Sequence, residues 1–186
     1  MSALSSPDAS TTPAFDPLLA LTAQHAETVR QCQALEGLAA LSAAPARRGL
    51  DAQASTLLDY FEGPALHARR MQEQYVFPAL IESMAGSDAV CLHDMTHGLQ
   101  DERQRLDRIW HTQLRPVLLR LSAGEHIALD PEVTNAWVHD FQLHLQVADQ
   151  ELLPMAARLL TDEALAEINI QWHKSLPPAE HAAASD

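Results

Sequence analysis

Four long stretches of the sequence repeat their apolar residues at three- and four-residue spacing, and this helical period constrains the fold more than any single motif. The first stretch begins at Asp16-Pro17, an N-cap followed by a proline in the first turn. It carries Leu18, Leu21, His25, Val29, Cys32 and Leu38 on one side. The second starts near Asp51 or Ser55 and packs through Leu57, Leu58 and Phe61. Gly63-Pro64 then interrupts it, and it resumes with a new stripe of His67, Met71, Tyr75 and Pro78 before stopping at Gly86. The third opens at Ser87-Asp88, turns Leu92, Leu99, Arg103, Leu106, Trp110, Leu114 and Val117 to one side, and ends at Ala123-Gly124. The fourth, from Asp130-Pro131, aligns Val133, Trp137, Phe141, His144, Ala148, Glu151, Met155 and Leu159. A short fifth helix from Glu163 to about His173 offers Leu165, Ile168 and Trp172 as a cover for one end.

The expected fold is therefore all-α: an up-down-up-down antiparallel four-helix bundle over residues 16–174 with a short C-terminal extra helix. A flexible leader is expected at residues 1–15 and a flexible tail at 175–186, where Ser, Thr, Ala and Pro dominate without apolar period. Composition agrees, because 47% apolar residues with only 6 glycines and 5% aromatics leave helices to supply the packing surface. At 186 residues there is room for one domain with a real core. The formal charge of -13 would repel a nucleic acid or an anionic membrane, so neither is an expected partner.

Cys32 and Cys91 are too few and too far apart for a disulfide framework and are expected to be reduced and buried. The first residues have no basic segment followed by an apolar one, and no apolar run is long enough to span a bilayer, so a cytoplasmic location is expected. A homodimer is compatible with the sequence but is not specified by it.

Chemistry concentrates in two similar stretches. HLQVADQELLP, from His144, sets a histidine ahead of Asp149 and Glu151, and HARRMQEQYVFPAL, from His67, sets one ahead of Glu73 and Pro78. Two helices bearing a histidine and an acid suggest a metal site between helices. Residues four apart share a helix face and can chelate one ion, with carboxylates bridging and imidazoles outside. Four after His144 stands Ala148, however, and four after His67 stands Met71. On the third helix, His93 and His97 have the spacing of a chelating pair, but the period turns His97 outward and Arg103 inward. His111, His126, His139, His173 and His181 fall on outer faces, loops or the tail.

LLALTAQHAETVRQC, VFPAL and ELLPMAARLL resemble the hemerythrin-like (HHE cation-binding) family, and the resemblance runs from Pro17 to about His173. It implies a non-haem di-iron centre for O2 or NO binding, sensing or iron handling. Its metal ligands would be His25, His67, Glu73, His144 and Glu151, with His93, His97 and Asp149 as secondary candidates. Counting back from Pro78 with one extra residue brings Gln72, with Glu73 beside it, to the place where the resemblance implies a glutamate. The sequence departs from the family pattern at Ala148, and at Arg103, which falls where helix three usually supplies a histidine. A second expectation follows: a metal-free helical interaction or structural module in which Arg103, paired with Glu73 or Glu151, replaces the metal charge. A di-iron enzyme is a third class, although redox chemistry asks for a more complete carboxylate shell.

Overall fold

The computed structural model describes residues 15–44, 49–84 and 87–176. The expected leader before Phe15, the stop at Gly86, the side chain of Cys91, the tail beyond residue 176 and His181 lie outside the described residues. Among the described residues every regular element is helical. Helix α1 is Pro17–Ala43, and Asp16 caps it as its sequence suggests: Oδ1 accepts from the backbone N–H of Leu18 at 2.8 Å. Helix α2, Leu50–Glu62, starts instead from Gly49, whose φ of 68° favours glycine, and Asp51 lies in its first turn. Gly63-Pro64 separates α2 from α3, Pro64–Met71.

The remaining elements are α4, Phe77–Ser83; α5, Ser87–Ile109; α6, Arg115–Ser122; α7, Pro131–Val147; α8, Leu153–Leu159; and α9, Asp162–Ser175. Asp130 caps α7 and Thr161 caps α9 through their side-chain oxygens. Phe15, expected as the end of a loose leader, packs its ring 5.7 Å from Trp172 and 4.8 Å from His173 on α9.

Three π-helical segments join α3 to α4, α5 to α6 and α7 to α8: Gln72–Val76, Trp110–Leu114 and Ala148–Leu152. Each ends one residue before a residue-proline pair: Phe77-Pro78, Arg115-Pro116 and Leu153-Pro154. Proline has no N–H to give and its ring crowds the carbonyl four residues back, so the turn before it widens. Phe77, Arg115 and Leu153 accordingly donate five residues back, to the carbonyls of Gln72, Trp110 and Ala148.

Each widened turn absorbs one extra residue and shifts the inward stripe by one position. Val76 is buried where Tyr75 was expected, and Leu118 where Val117 was expected. Leu152, Ala156 and Leu160 are buried where Glu151, Met155 and Leu159 were expected. Glu151 is exposed for this reason.

The buried apolar residues form two clusters. One gathers Cys32, Leu35, Leu38, Leu57, Phe61, Leu106, Leu118, Trp137 and Phe141. The other gathers Leu18, Leu21, Met71, Phe77, Leu80, Leu92, Leu99, Leu152 and Trp172. In the first, Phe61, Trp110, Trp137 and Phe141 pack in tilted and edge-on contacts at centroid distances of 4.8 to 6.4 Å, and the Trp137 indole donates to the Leu106 carbonyl at 2.9 Å. No described helix is long and apolar enough to cross a membrane.

The phase shift is testable by stability. Leu152→Ala should cost about 2–5 kcal/mol in urea unfolding, as a truncation in a packed core does. Glu151→Ala should stay within about 0.5 kcal/mol. The reverse order would mean that the helix runs through residue 148 without the extra residue.

Candidate functional site

Between the two apolar clusters lies a layer of buried polar side chains. His25 and Thr28 come from α1, where Leu21 belongs to one cluster and Cys32 to the other. Gln72 enters from the first π segment and Arg103 from α5 between Leu99 and Leu106, and the partly buried His144 joins them from α7 beside Leu145. They line a common cavity of about 30 Å³ together with Arg69, Glu73 and Phe141. The period of α5 turned Arg103 inward, and it is 9% exposed, whereas the side chains of His93 and His97 are 62% and 61% exposed.

Arg103 is held chiefly by position. Its guanidinium lies over the Phe141 ring, 4.4 Å from the centroid, and its Nε is 3.3 Å from Asp107 Oδ1 on the next turn. That approach brings opposite charges together but is not aligned for a hydrogen bond, and Nε has no hydrogen-bond partner. Burial pulls the Arg103 guanidinium below its ordinary pKa, and Asp107 opposes the shift. Asp107 also pairs with Arg69 Nη1, and Arg69 Nε donates to Glu73 Oε1 at 3.0 Å. The chain Glu73–Arg69–Asp107–Arg103 thus alternates in sign across α3, the first π segment and α5. The partner of Arg103 is therefore Asp107, in place of the expected Glu73 or Glu151. Asp107, four residues on from Arg103, was detectable as an i,i+4 pair, and so was Arg69 with Glu73.

His25 Nδ1 lies 2.6 Å from Asp149 Oδ1. The stretch from His144 thus contributes its aspartate, which lies in the π segment Ala148–Leu152. Thr28 bonds Tyr60 Oη at 2.7 Å, and Gln24 donates to the same oxygen at 3.0 Å, so α1 and α2 are tied beside the layer. Periodicity selected Val29 over Thr28, and nothing in the sequence pointed to Tyr60. His67 faces elsewhere: its Nε2 is 2.8 Å from Ser175 Oγ and its ring meets Trp172 edge-on at 4.9 Å, docking α9 on α3.

His144 Nδ1 is buried without a hydrogen-bond partner. Burial, and then the charge of Arg103, hold the His144 pKa down at about 4. Cys32 is a free thiol pushed up to about 12, mainly by burial, and so is inert near neutral pH.

The expected ligands His25, His67, Glu73, His144 and Glu151 are not gathered into one donor set. Among the described residues no group of three or more His, Cys, Asp and Glu side chains could hold a metal ion. The residues in the layer do not fit a di-iron centre. A fixed guanidinium occupies its middle, and each carboxylate near it, Glu73, Asp107 and Asp149, is already paired with an arginine or a histidine. No protein-family model matches the chain, and no curated protein matches it either.

Because an unfolded histidine titrates near pH 6.5 and His144 near 4 in the fold, the unfolded chain takes up this proton first. Stability due to neutral His144 is fully present above pH 6.5 and is lost as pH falls toward 4, by about 3 kcal/mol at most. An NMR titration should find the His144 imidazole midpoint near pH 4, and His144→Phe should flatten this part of the stability profile. A midpoint near 6.5 would mean that the imidazole is solvated.

Proposed function

We propose that this chain is a hemerythrin-like, up-down-up-down antiparallel four-helix bundle that works without metal, as a helical structural and interaction module of the reducing cytoplasm. The observation that carries the reading is Arg103, buried in the layer where the family resemblance calls for ligands, over Phe141 and beside Asp107. A guanidinium keeps its charge at every accessible pH, so it serves as a permanent cation in the bundle centre. The adjoining carboxylates then need no metal to be balanced, and a dication beside Arg103 would face uncompensated repulsion at short range. The free, buried Cys32 suits a reducing compartment.

A second reading, iron binding for O2 or NO, is favoured by one observation: His25, Glu73 and His144 border the same cavity. Metal analysis separates the two. Protein purified under iron-replete, reducing conditions should carry no stoichiometric iron, while about two irons per chain would replace the first reading with the second. Arg103→Ala should cost about 3–5 kcal/mol in urea unfolding, because it leaves Asp107 and its neighbours without their cation. A neutral effect would remove Arg103 from the centre of the account.

A further inference from the structure

The polar layer contains more hydrogen-bonding capacity than it uses. Arg103 is nine-tenths buried and its Nε is unpartnered. His144 Nδ1, across the same cavity, is also unpartnered. Buried donors left unmet are costly, and the cost is greatest for a charged group. Gln72 adds an amide to the lining, whereas the Thr28 hydroxyl is already taken up by the Gln24 carbonyl and Tyr60 Oη.

We propose that this cavity is a binding site for one small planar oxyanion, of the size of formate, nitrite or nitrate. The inference rests on the metal-free reading of the layer. Charge favours an anion over a neutral ligand, because the nearby carboxylates are already paired. Glu73 is held by Arg69 at 3.0 Å, Asp107 by Arg69 and Arg103, and Asp149 by His25 at 2.6 Å. Arg103 shares Asp107 with Arg69 and makes no aligned hydrogen bond to it, so its forked face is a cationic donor on the cavity wall whose geometry matches two oxygens in a plane.

Size sets the upper limit. A cavity of about 30 Å³ is two to three times what one water needs, so it admits a ligand of about three or four heavy atoms. Leu99 and His144 border both the cavity and an outer groove of about 310 Å³ between α5 and α7, so these side chains form the partition that a ligand from the groove would have to pass. Glu102 and Asp140, at that groove, are bound to Arg105 at 2.7 and 2.6 Å, so the approach is not lined by free carboxylates there.

The test uses the full chain, with its iron content measured in the same sample. Sodium formate is titrated at constant ionic strength while the side-chain NMR resonances of Arg103 and His144 are followed. Sodium sulfate serves as the control, because it is too large for the cavity. Saturable shifts with a dissociation constant on the order of 1 mM are expected, which is near the ceiling for a ligand of three atoms. Arg103→Lys, which keeps the charge and loses the fork, should weaken formate at least about tenfold. Should that variant fail to fold, His144→Phe replaces it and should abolish the saturable shift. The site is overturned if formate gives no saturation below about 100 mM, a hundredfold above the expected constant. It is equally overturned if sulfate gives the same shifts, or if the folded variant binds formate as tightly as the wild type. Iron in the sample overturns the metal-free reading instead, whereas iron-free protein that ignores formate overturns only the anion site.

Discussion

A permanent positive charge in the middle of a helical bundle has to be matched, and most of the central structure follows from that requirement. Taking a guanidinium out of water costs several kcal/mol unless opposite charge and polarisable surface replace the solvent. Here Asp107 supplies the charge, Phe141 the surface, and Arg69 with Glu73 extends the alternation outward. The apolar clusters on either side keep water scarce, which makes the matching both strong and necessary. Burial, and after it the charge of Arg103, keeps His144 neutral at physiological pH.

Most of the helices could be identified in the sequence. The period identified the four helical stretches, Asp16 and Asp130 marked two starts, and Gly63-Pro64 marked the break in the second stretch. The inward face was legible only as far as the first turn of each π segment. A constant advance of 100° per residue carries no information about an inserted residue, so Tyr75, Val117 and Glu151 were assigned inward in place of Val76, Leu118 and Leu152. The signal was present all the same, since Pro78, Pro116 and Pro154 each follow the widened turn by two residues.

The site was harder to assign, because its members come from different helices and their pairing is a matter of rotation. Arg103, His25, His144 and the ambiguity at Gln72 and Glu73 could all be seen in advance. The pairing of His25 with Asp149 could not, since Asp149 lies within the π segment at Ala148–Leu152. The separation of His67 from the layer depends on α9, whose docking brings Ser175 and Trp172 to it. Sequence resemblance pointed to a group of ligands, whereas the packing divides those residues among an arginine-centred layer, a helix-docking contact and the exposed surface.

The widened turns also change how the molecule can vary. In a straight helix, any change of phase at one end must be carried through to the other, and both cores are bound to one register. A turn that already holds a surplus residue separates the two ends of a rod, because one residue gained or lost there rotates one core and leaves the other alone. Three of the rods carry such a turn, and α1, at 27 residues, runs without one. That helix therefore works as the common ruler of the fold, the one element along which both cores must stay in step.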